Sequence, residues 1–123
     1  MLEKGALYVV GTPIGNLGDF SPRGKEALEQ ADFIAAEDTR VTRGLLTHFG
    51  IRKPMLSYFE HNKLDRGETI LARLQAGETC ALVSDAGMPA VSDPGETLIA
   101  ACAQRNIPVY VVPGPTAAIS ALA

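Results

Sequence analysis

Residues 6–18 have the sequence ALYVVGTPIGNLG, a short apolar run followed at once by a loop that contains three glycines. The β-branched and aromatic residues of the apolar run are typical of a buried strand. Ser21 and Pro22 come next and suit the N-cap and first turn of a helix that continues to Gln30. The sequence therefore predicts a strand, a loop and a helix in succession.

The same succession recurs along the rest of the chain. With the first run, apolar segments predict five strands, at Ala6–Val10, Asp32–Ala36, Met55–Tyr58, Cys80–Ser84 and Val109–Val112. Helical patterns fill the gaps: one opens at Thr39 or Thr42 and ends at Gly50, one covers Lys63–Ala76 before Gly77, and one covers Glu96–Arg105 before Asn106. This alternation predicts an α/β fold, a five-stranded parallel sheet with helices on both faces.

The composition is that of one compact globular domain. The chain has 123 residues, of which 46% are hydrophobic and 20% are charged. It contains no apolar run long enough to span a membrane and no signal-peptide pattern, so we expect a cytoplasmic protein without membrane contact. Cys80 and Cys102 lie in apolar stretches without metal or redox spacing, which predicts buried free thiols.

Positive charge is concentrated in one part of an acidic chain. The net charge is −3, but the stretch from Arg40 to Arg66 holds six of the eleven basic residues and two acids, which gives +4. The remainder, with five bases and twelve acids, has −7. This stretch is either a set of solvated helix faces or a surface that meets phosphates.

Glycine, proline and aspartate crowd the loops that follow strands one, four and five, where ligands of such sheets bind. The first loop has G-x₃-G-x₂-G spacing, which matches neither the dinucleotide fingerprint nor the P-loop and is compatible with a tight turn. Asp85 after strand four suits a ligand with hydroxyl or ammonium groups, or else forms a turn. The Pro113-Gly114-Pro115 turn after strand five is weak evidence by itself.

Polar residues also follow strands two and three. Glu37, Asp38 and Arg40 end strand two, either as ligand-facing groups or as a structural ion pair. His61 follows strand three and is either an acid–base group or a surface hydrogen-bonder.

Five segments, taken together and in this order, resemble the tetrapyrrole methylase superfamily and, within it, the branch that methylates ribosomal RNA. They are GTPIGNLGDFSPRG (11–24), EDTRVTR (37–43), SYFEHN (57–62), SDAGMPAVSDPG (84–95) and VPGPTA (112–117). The resemblance implies a metal-independent, S-adenosylmethionine-dependent enzyme that methylates the ribose 2′-oxygen of a cytidine in small-subunit (16S) ribosomal RNA. It also implies a homodimer that acts on ribosomal RNA or the small ribosomal subunit.

The resemblance also implies the domain organisation and the roles of individual residues. Residues 1–123 correspond to the amino-terminal domain, and a second domain is expected after Ala123, so this segment is expected to be inactive alone. The expected cofactor residues are Ile14, Ser84, Asp85, Ala86, Gly87, Met88, Pro113, Gly114, Thr116 and Ala117. The expected substrate residues are Arg40, Arg43, Tyr58 and Asn62, and no metal site is expected.

A ribose hydroxyl is a poor nucleophile, so a base or an orienting carboxylate is needed. Asp38 and Glu37 are the candidates, with His61 behind them. Three other functions stay open: a sister methylase of a tetrapyrrole or another small substrate, a nicotinamide dehydrogenase domain, and a nucleotide-binding module without activity. Binding of S-adenosylhomocysteine, of NAD, or of neither would distinguish the methylases, the dehydrogenase and the inactive module.

Overall fold

The computed structural model describes residues 3–11, 22–58, 62–84 and 95–112. The strands are β1 (Leu7–Gly11), β2 (Phe33–Ala36), β3 (Met55–Ser57), β4 (Cys80–Ser84) and β5 (Val109–Val112). The helices are α1 (Pro22–Gln30), α2 (Thr39–His48), α3 (Lys63–Gln75) and α4 (Gly95–Gln104). The predicted alternation is confirmed, with strand bounds that differ by one residue at β1, β2 and β3. Asp32 lies outside β2, and its Oδ2 accepts a hydrogen bond from the Thr79 backbone N–H at 2.8 Å.

The five strands form one parallel sheet in the order β3-β2-β4-β1-β5. The chain thus moves in one direction across the sheet from β1 to β3 and returns through β4 to β5. Crossovers between parallel strands are right-handed, so a reversal of direction moves the connecting helices to the other face. The order therefore requires α1 and α2 on one face and α3 and α4 on the other.

The packing agrees with this requirement. One buried cluster joins the sheet to α3 and α4 through Ile70, Leu74, Leu98 and Cys102. The other joins it to α1 and α2 through residues such as Leu28 and Leu45. The parallel sheet predicted from the sequence is therefore covered on both faces, as strands with few polar residues require.

The predicted helix ends and thiols are confirmed. Gly50, Gly77 and Asn106 have φ angles of 68°, 99° and 59°, the left-handed conformation that ends helices. Cys80 and Cys102 are free and buried. Burial raises the pKa of Cys102 to about 11 and raises that of Cys80 further above its ordinary value, so both thiols stay protonated near neutral pH.

Gly44 lies inside α2, and replacing it by alanine should stabilise the protein. A Cβ at this position would have no heavy atom within 4 Å, and the backbone is not left-handed. Gly44→Ala should therefore raise the free energy of unfolding by about 0.5–1 kcal/mol, measured by urea denaturation. Gly77→Ala is the matched control, because its Cβ is equally unobstructed but its φ is +99°. Gly77→Ala should destabilise, and a gain at both glycines would contradict the assigned backbone conformations.

Candidate functional site

The carboxyl ends of β4, β1 and β5 lie side by side. Gly11 at the end of β1 pairs with Ser84 at the end of β4, and Val10 pairs with Val112 at the end of β5. The three glycine- and proline-rich segments of the sequence therefore start from adjacent points on one edge of the sheet. Since β1 and β4 lead to helices on opposite faces, this is also the switch point where ligands of doubly wound sheets bind.

Most of the predicted cofactor residues, and one predicted catalytic residue, lie outside the described part of the chain. They are Ile14, Asp85, Ala86, Gly87, Met88, Pro113, Gly114, Thr116, Ala117 and His61. Ser84 is the last residue of β4, and only its backbone position is described. Their assigned roles stay predictions.

Glu37 and Asp38 follow β2 but have different surroundings. Asp38 is the N-cap of α2, and its Oδ1 accepts hydrogen bonds from the backbone N–H groups of Arg40 at 3.0 Å and Val41 at 3.3 Å. Glu37 is exposed, with no recorded hydrogen bond or ion pair to the described parts of the chain. The alternative of an ion pair between these acids and Arg40 is not seen among the described residues. An Asp before a helical run is a recognisable capping signal that the sequence reasoning had missed.

The basic residues between Arg40 and Arg66 lie toward both ends of the strands. Arg40 and Arg43 belong to the start of α2, and Lys63 and Arg66 belong to the start of α3, so both pairs lie toward the carboxyl ends of the strands. Arg52 and Lys53 precede β3 and therefore lie toward the amino ends of the strands. Only part of the +4 stretch can therefore face a ligand at the carboxyl edge, a distinction that sequence order did not show.

Tyr58 is a core residue in this structure. Its side chain is 1% exposed, and its backbone N–H donates to the Ala36 carbonyl at 2.8 Å. A Cβ on Gly67 of α3 would lie 3.7 Å from Tyr58 Cε1, an ordinary contact distance, so the ring lies beside this helix. The structure thus assigns this aromatic ring to packing, and the predicted contact with substrate gains no support from it.

Asn62 connects the start of α3 to the end of β3. Its Nδ2 donates to the Ser57 carbonyl at 3.2 Å and to Ser57 Oγ at 3.1 Å. These bonds tie the start of α3 to the end of β3. The predicted role of Asn62 toward substrate stays a prediction, and its described contacts are with Ser57.

At the opposite side of the sheet, β5 is an edge strand with exposed apolar residues. Tyr110 is 43% exposed and stacks on Tyr8 with ring centroids 5.1 Å apart. The Tyr110 hydroxyl donates to Glu3, and this bond raises the pKa of the tyrosine. A cavity of about 350 Å³ lies beside this pair and is also lined by Arg23 and Glu26. The sequence reasoning did not single out these residues.

Two further features bear on the kind of site. Within the described ranges, no three His, Cys, Asp or Glu side chains come together as a metal site would require. None of the helices in the described part of the chain is long and apolar enough to cross a membrane.

Comparison with known proteins gives one family. The sequence model of the tetrapyrrole (corrin/porphyrin) methylases matches residues 6–123. The solved structures similar to this chain include a cobalt precorrin-4 methyltransferase, with a TM-score of 0.75 and 21% identity over 89% of this chain and 46% of that one. Another is the uroporphyrin-III C-methyltransferase of Thermus thermophilus, with a TM-score of 0.71 and 22% identity over 89% of this chain and 46% of that one. At these identities the likeness shows the shared fold.

Curated relatives are much more similar in sequence. A protein of Synechocystis named ribosomal RNA small subunit methyltransferase I is 58% identical over 96% of this chain and 42% of its own length. Proteins of the same name from Escherichia coli O157:H7 and Thermotoga maritima are 51% and 50% identical over 98% and 97% of this chain. The alignments cover 42% and 54% of their lengths, so the chain spans about half the length of these relatives.

Proposed function

The chain belongs to the tetrapyrrole methylase family, and from that premise we propose that it is the amino-terminal half of an S-adenosylmethionine-dependent enzyme that methylates the 2′-oxygen of a cytidine ribose in small-subunit ribosomal RNA. The observation that carries this proposal is the 50–58% identity, over nearly the whole chain, to proteins named for small-subunit ribosomal RNA methylation. The two tetrapyrrole methylases of known structure compared above share the fold at 21–22% identity. The RNA substrate is therefore preferred to a tetrapyrrole.

The cofactor would lie over β4, β1 and β5. These strands end next to one another, with Gly11 opposite Ser84, where three loops rich in Gly, Pro and Asp begin. Backbone N–H groups of such loops can approach a ligand closely, and Asp85 suits the hydroxyl or ammonium groups of S-adenosylmethionine. The residue types and their position thus fit this cofactor, which supplies a methyl carbon activated by a sulfonium.

The acceptor ribose would lie over the carboxyl ends of β2 and β3, beside the proposed cofactor position. Displacement at the methyl carbon requires the 2′-oxygen to approach within about 3 Å, in line with the leaving sulfur. The new O–CH₃ bond forms as the S–CH₃ bond breaks, and the hydroxyl proton must leave. We assign acceptance of that proton to Glu37, because its exposed carboxylate follows β2 without a described partner. Asp38 would act as a positioning residue, since its Oδ1 is occupied in capping α2.

The rest of the protein would complete the site. The curated relatives are about twice as long as this chain, so we propose that residues 1–123 form one wall of the cofactor cleft and a second domain forms the other. We also propose a homodimer that works in the cytoplasm, where ribosomal subunits are available. The exposed Tyr110 and Val111 on edge strand β5 support a contact with a further part of the protein or a second copy.

The proposed function is tested with the complete protein, S-adenosylmethionine carrying a tritiated methyl group, and small ribosomal subunits that lack the modification. We expect label in the ribosomal RNA at one cytidine, in a linkage that resists alkali because alkaline cleavage needs a free 2′-hydroxyl. We also expect calorimetry to show binding of S-adenosylhomocysteine and no binding of NAD.

The controls separate the other functions. Label in a porphyrinogen and not in RNA would indicate a sister methylase, and binding of NAD alone would indicate a dehydrogenase. Residues 1–123, prepared separately, should fold by circular dichroism but should not transfer the methyl group. Turnover by this segment at the rate of the complete protein would overturn the two-domain cleft.

A further inference from the structure

Two helices that leave neighbouring strands have the same four-residue pattern near their starts: a base, an apolar residue, a variable residue and a base. In α2 the pattern is RVTR, residues 40–43, directly after the first helical residue Thr39, and in α3 it is KLDR, residues 63–66, the first four residues of the helix. The apolar members Val41 and Leu64 are 57% and 76% exposed, and they do not contribute to the core. We call these eight residues the paired turns.

The sheet places the paired turns on either side of one edge. β2 and β3 are neighbours, with Ala36 paired to Ser57 at their carboxyl ends, so α2 and α3 both start beyond the same end of the sheet. Because α2 packs on one face and α3 on the other, the two turns flank the end of the sheet. Two helices separated by a sheet have axes about 20 Å apart, so a ligand that contacts both turns must cross the sheet edge beside Glu37.

The basic residues of the paired turns do not serve helix stability. A base at the start of a helix is repelled by the positive end of the helix dipole, and α2 has the acid Asp38 as its N-cap but none in its first turn. The guanidinium groups of Arg40, Arg43 and Arg66 are exposed and form no ion pair among the residues that the structure describes. Asp65 is an acid in the first turn of α3. An anionic ligand would compensate this arrangement, and the exposed apolar side chains would contact its uncharged parts.

We propose that the paired turns bind a single strand of RNA that crosses the carboxyl edge of β2 and β3. Arg40 and Arg43 would bind phosphates on one side of the reacting nucleotide, and Lys63 and Arg66 would bind phosphates on the other. Val41 and Leu64 would contact sugars or unpaired bases, which only an unpaired strand can present freely. The inference rests on the proposed function and extends its substrate site to α3.

The test measures binding of fluorescent oligocytidylate RNA to the complete protein by anisotropy, at several salt concentrations. At a rise of about 3.4 Å per phosphate in a stacked strand, about 20 Å corresponds to roughly six nucleotides, and an unstacked strand covers it with fewer. An RNA of about twelve nucleotides therefore spans both turns, whereas a dinucleotide, with a single internal phosphate, does not. The variants are the pairs Arg40→Gln with Arg43→Gln, and Lys63→Gln with Arg66→Gln. The control pair is Arg52→Gln with Lys53→Gln. It removes two charges of the same basic stretch, but at the amino ends of the strands.

With the longer RNA, each variant pair should weaken binding several-fold and reduce the slope of log affinity against log salt by about 1.4, or about 0.7 for each phosphate contact. With the shorter RNA, each pair should reduce binding by only about twofold, because the other turn is intact. The control pair should change neither the affinity for the RNA nor the slope of log affinity against log salt. Val41→Ser with Leu64→Ser should weaken binding at an unchanged slope.

Two results would overturn the proposal that the paired turns bind RNA. One is an equal loss from the control pair, which would show a general effect of charge, and the other is an unchanged slope in either variant pair. If the unmodified protein methylates ribosomal RNA in these cases, the proposed function stands and only this surface is wrong. If the unmodified protein neither binds nor methylates RNA, both proposals fail.

Discussion

Replacement of Phe33 by alanine should lower the free energy of unfolding by about 3–5 kcal/mol. Phe33 is fully buried in β2 and belongs to the cluster that joins the sheet to α3 and α4. The Arg73 guanidinium carbon lies 3.7 Å from the centroid of the ring, and Arg73 also forms two hydrogen bonds with Glu78. The substitution therefore leaves a cavity and removes a cation–π contact. Urea denaturation followed by circular dichroism measures the loss.

A loss of this size is a large part of the 5–15 kcal/mol that stabilises an ordinary domain. Phe33→Leu keeps most of the volume and should cost about 1.5 kcal/mol or less. Leu64→Ala, at a side chain that is 76% exposed, should change stability by no more than about 0.5 kcal/mol. A similar loss from all three variants, or a loss below about 1 kcal/mol in Phe33→Ala, would contradict the packing around β2.

The sequence predicted the elements of this fold because each element is encoded locally. Apolar runs such as Cys80–Ser84 match strands to the residue, and Asn106 ends α4 as its backbone preference indicates. The order of the strands depends on which buried faces pack together over long distances along the chain, and no local pattern contains that information. For this reason the position of β4 between β2 and β1 came only from the structure.

The site was predicted less completely, for a similar reason. Residue type alone does not distinguish Glu37 from Asp38, but the backbone does, because only Asp38 reaches the free N–H groups of α2. Tyr58 was predicted to face the substrate, which stays a prediction, and its side chain is 1% exposed and lies beside Gly67, nine residues later in the sequence. Arg52 and Arg43 look equivalent in the sequence and lie toward opposite edges of the sheet.

The carboxyl ends of the strands form two groups, and each group has a separate role in the proposed reaction. The strand ends of β4, β1 and β5 start the loops assigned to the cofactor, and those of β2 and β3 carry the residues assigned to the RNA. β2 and β4 are neighbours, with Ala36 paired to Val83, so the two halves meet directly beside Glu37. A group that accepts a proton from the ribose must lie at this junction.

Glu37→Gln should therefore reduce the kcat of the complete protein by about 10²–10⁴-fold, the usual contribution of a general base. The amide has nearly the same size but cannot accept the proton, so KM for RNA should change little. Because Glu37 is exposed and makes no described contact, the free energy of unfolding should stay within about 0.5 kcal/mol of its original value. Methyl transfer to small ribosomal subunits and urea denaturation measure the two quantities.

Asp38 provides the matched comparison. Asp38→Asn should keep both activity and stability, since an asparagine oxygen can accept the same hydrogen bonds from the N–H groups of Arg40 and Val41. Asp38→Ala should lose about 1 kcal/mol of stability, because the cap of α2 is missing. Its activity should fall only to the extent that the loss of this cap displaces the start of α2. If Asp38→Asn abolished turnover in a stable protein while Glu37→Gln kept the original kcat, the proton would go to Asp38, and the carboxylate that caps α2 would also be the base.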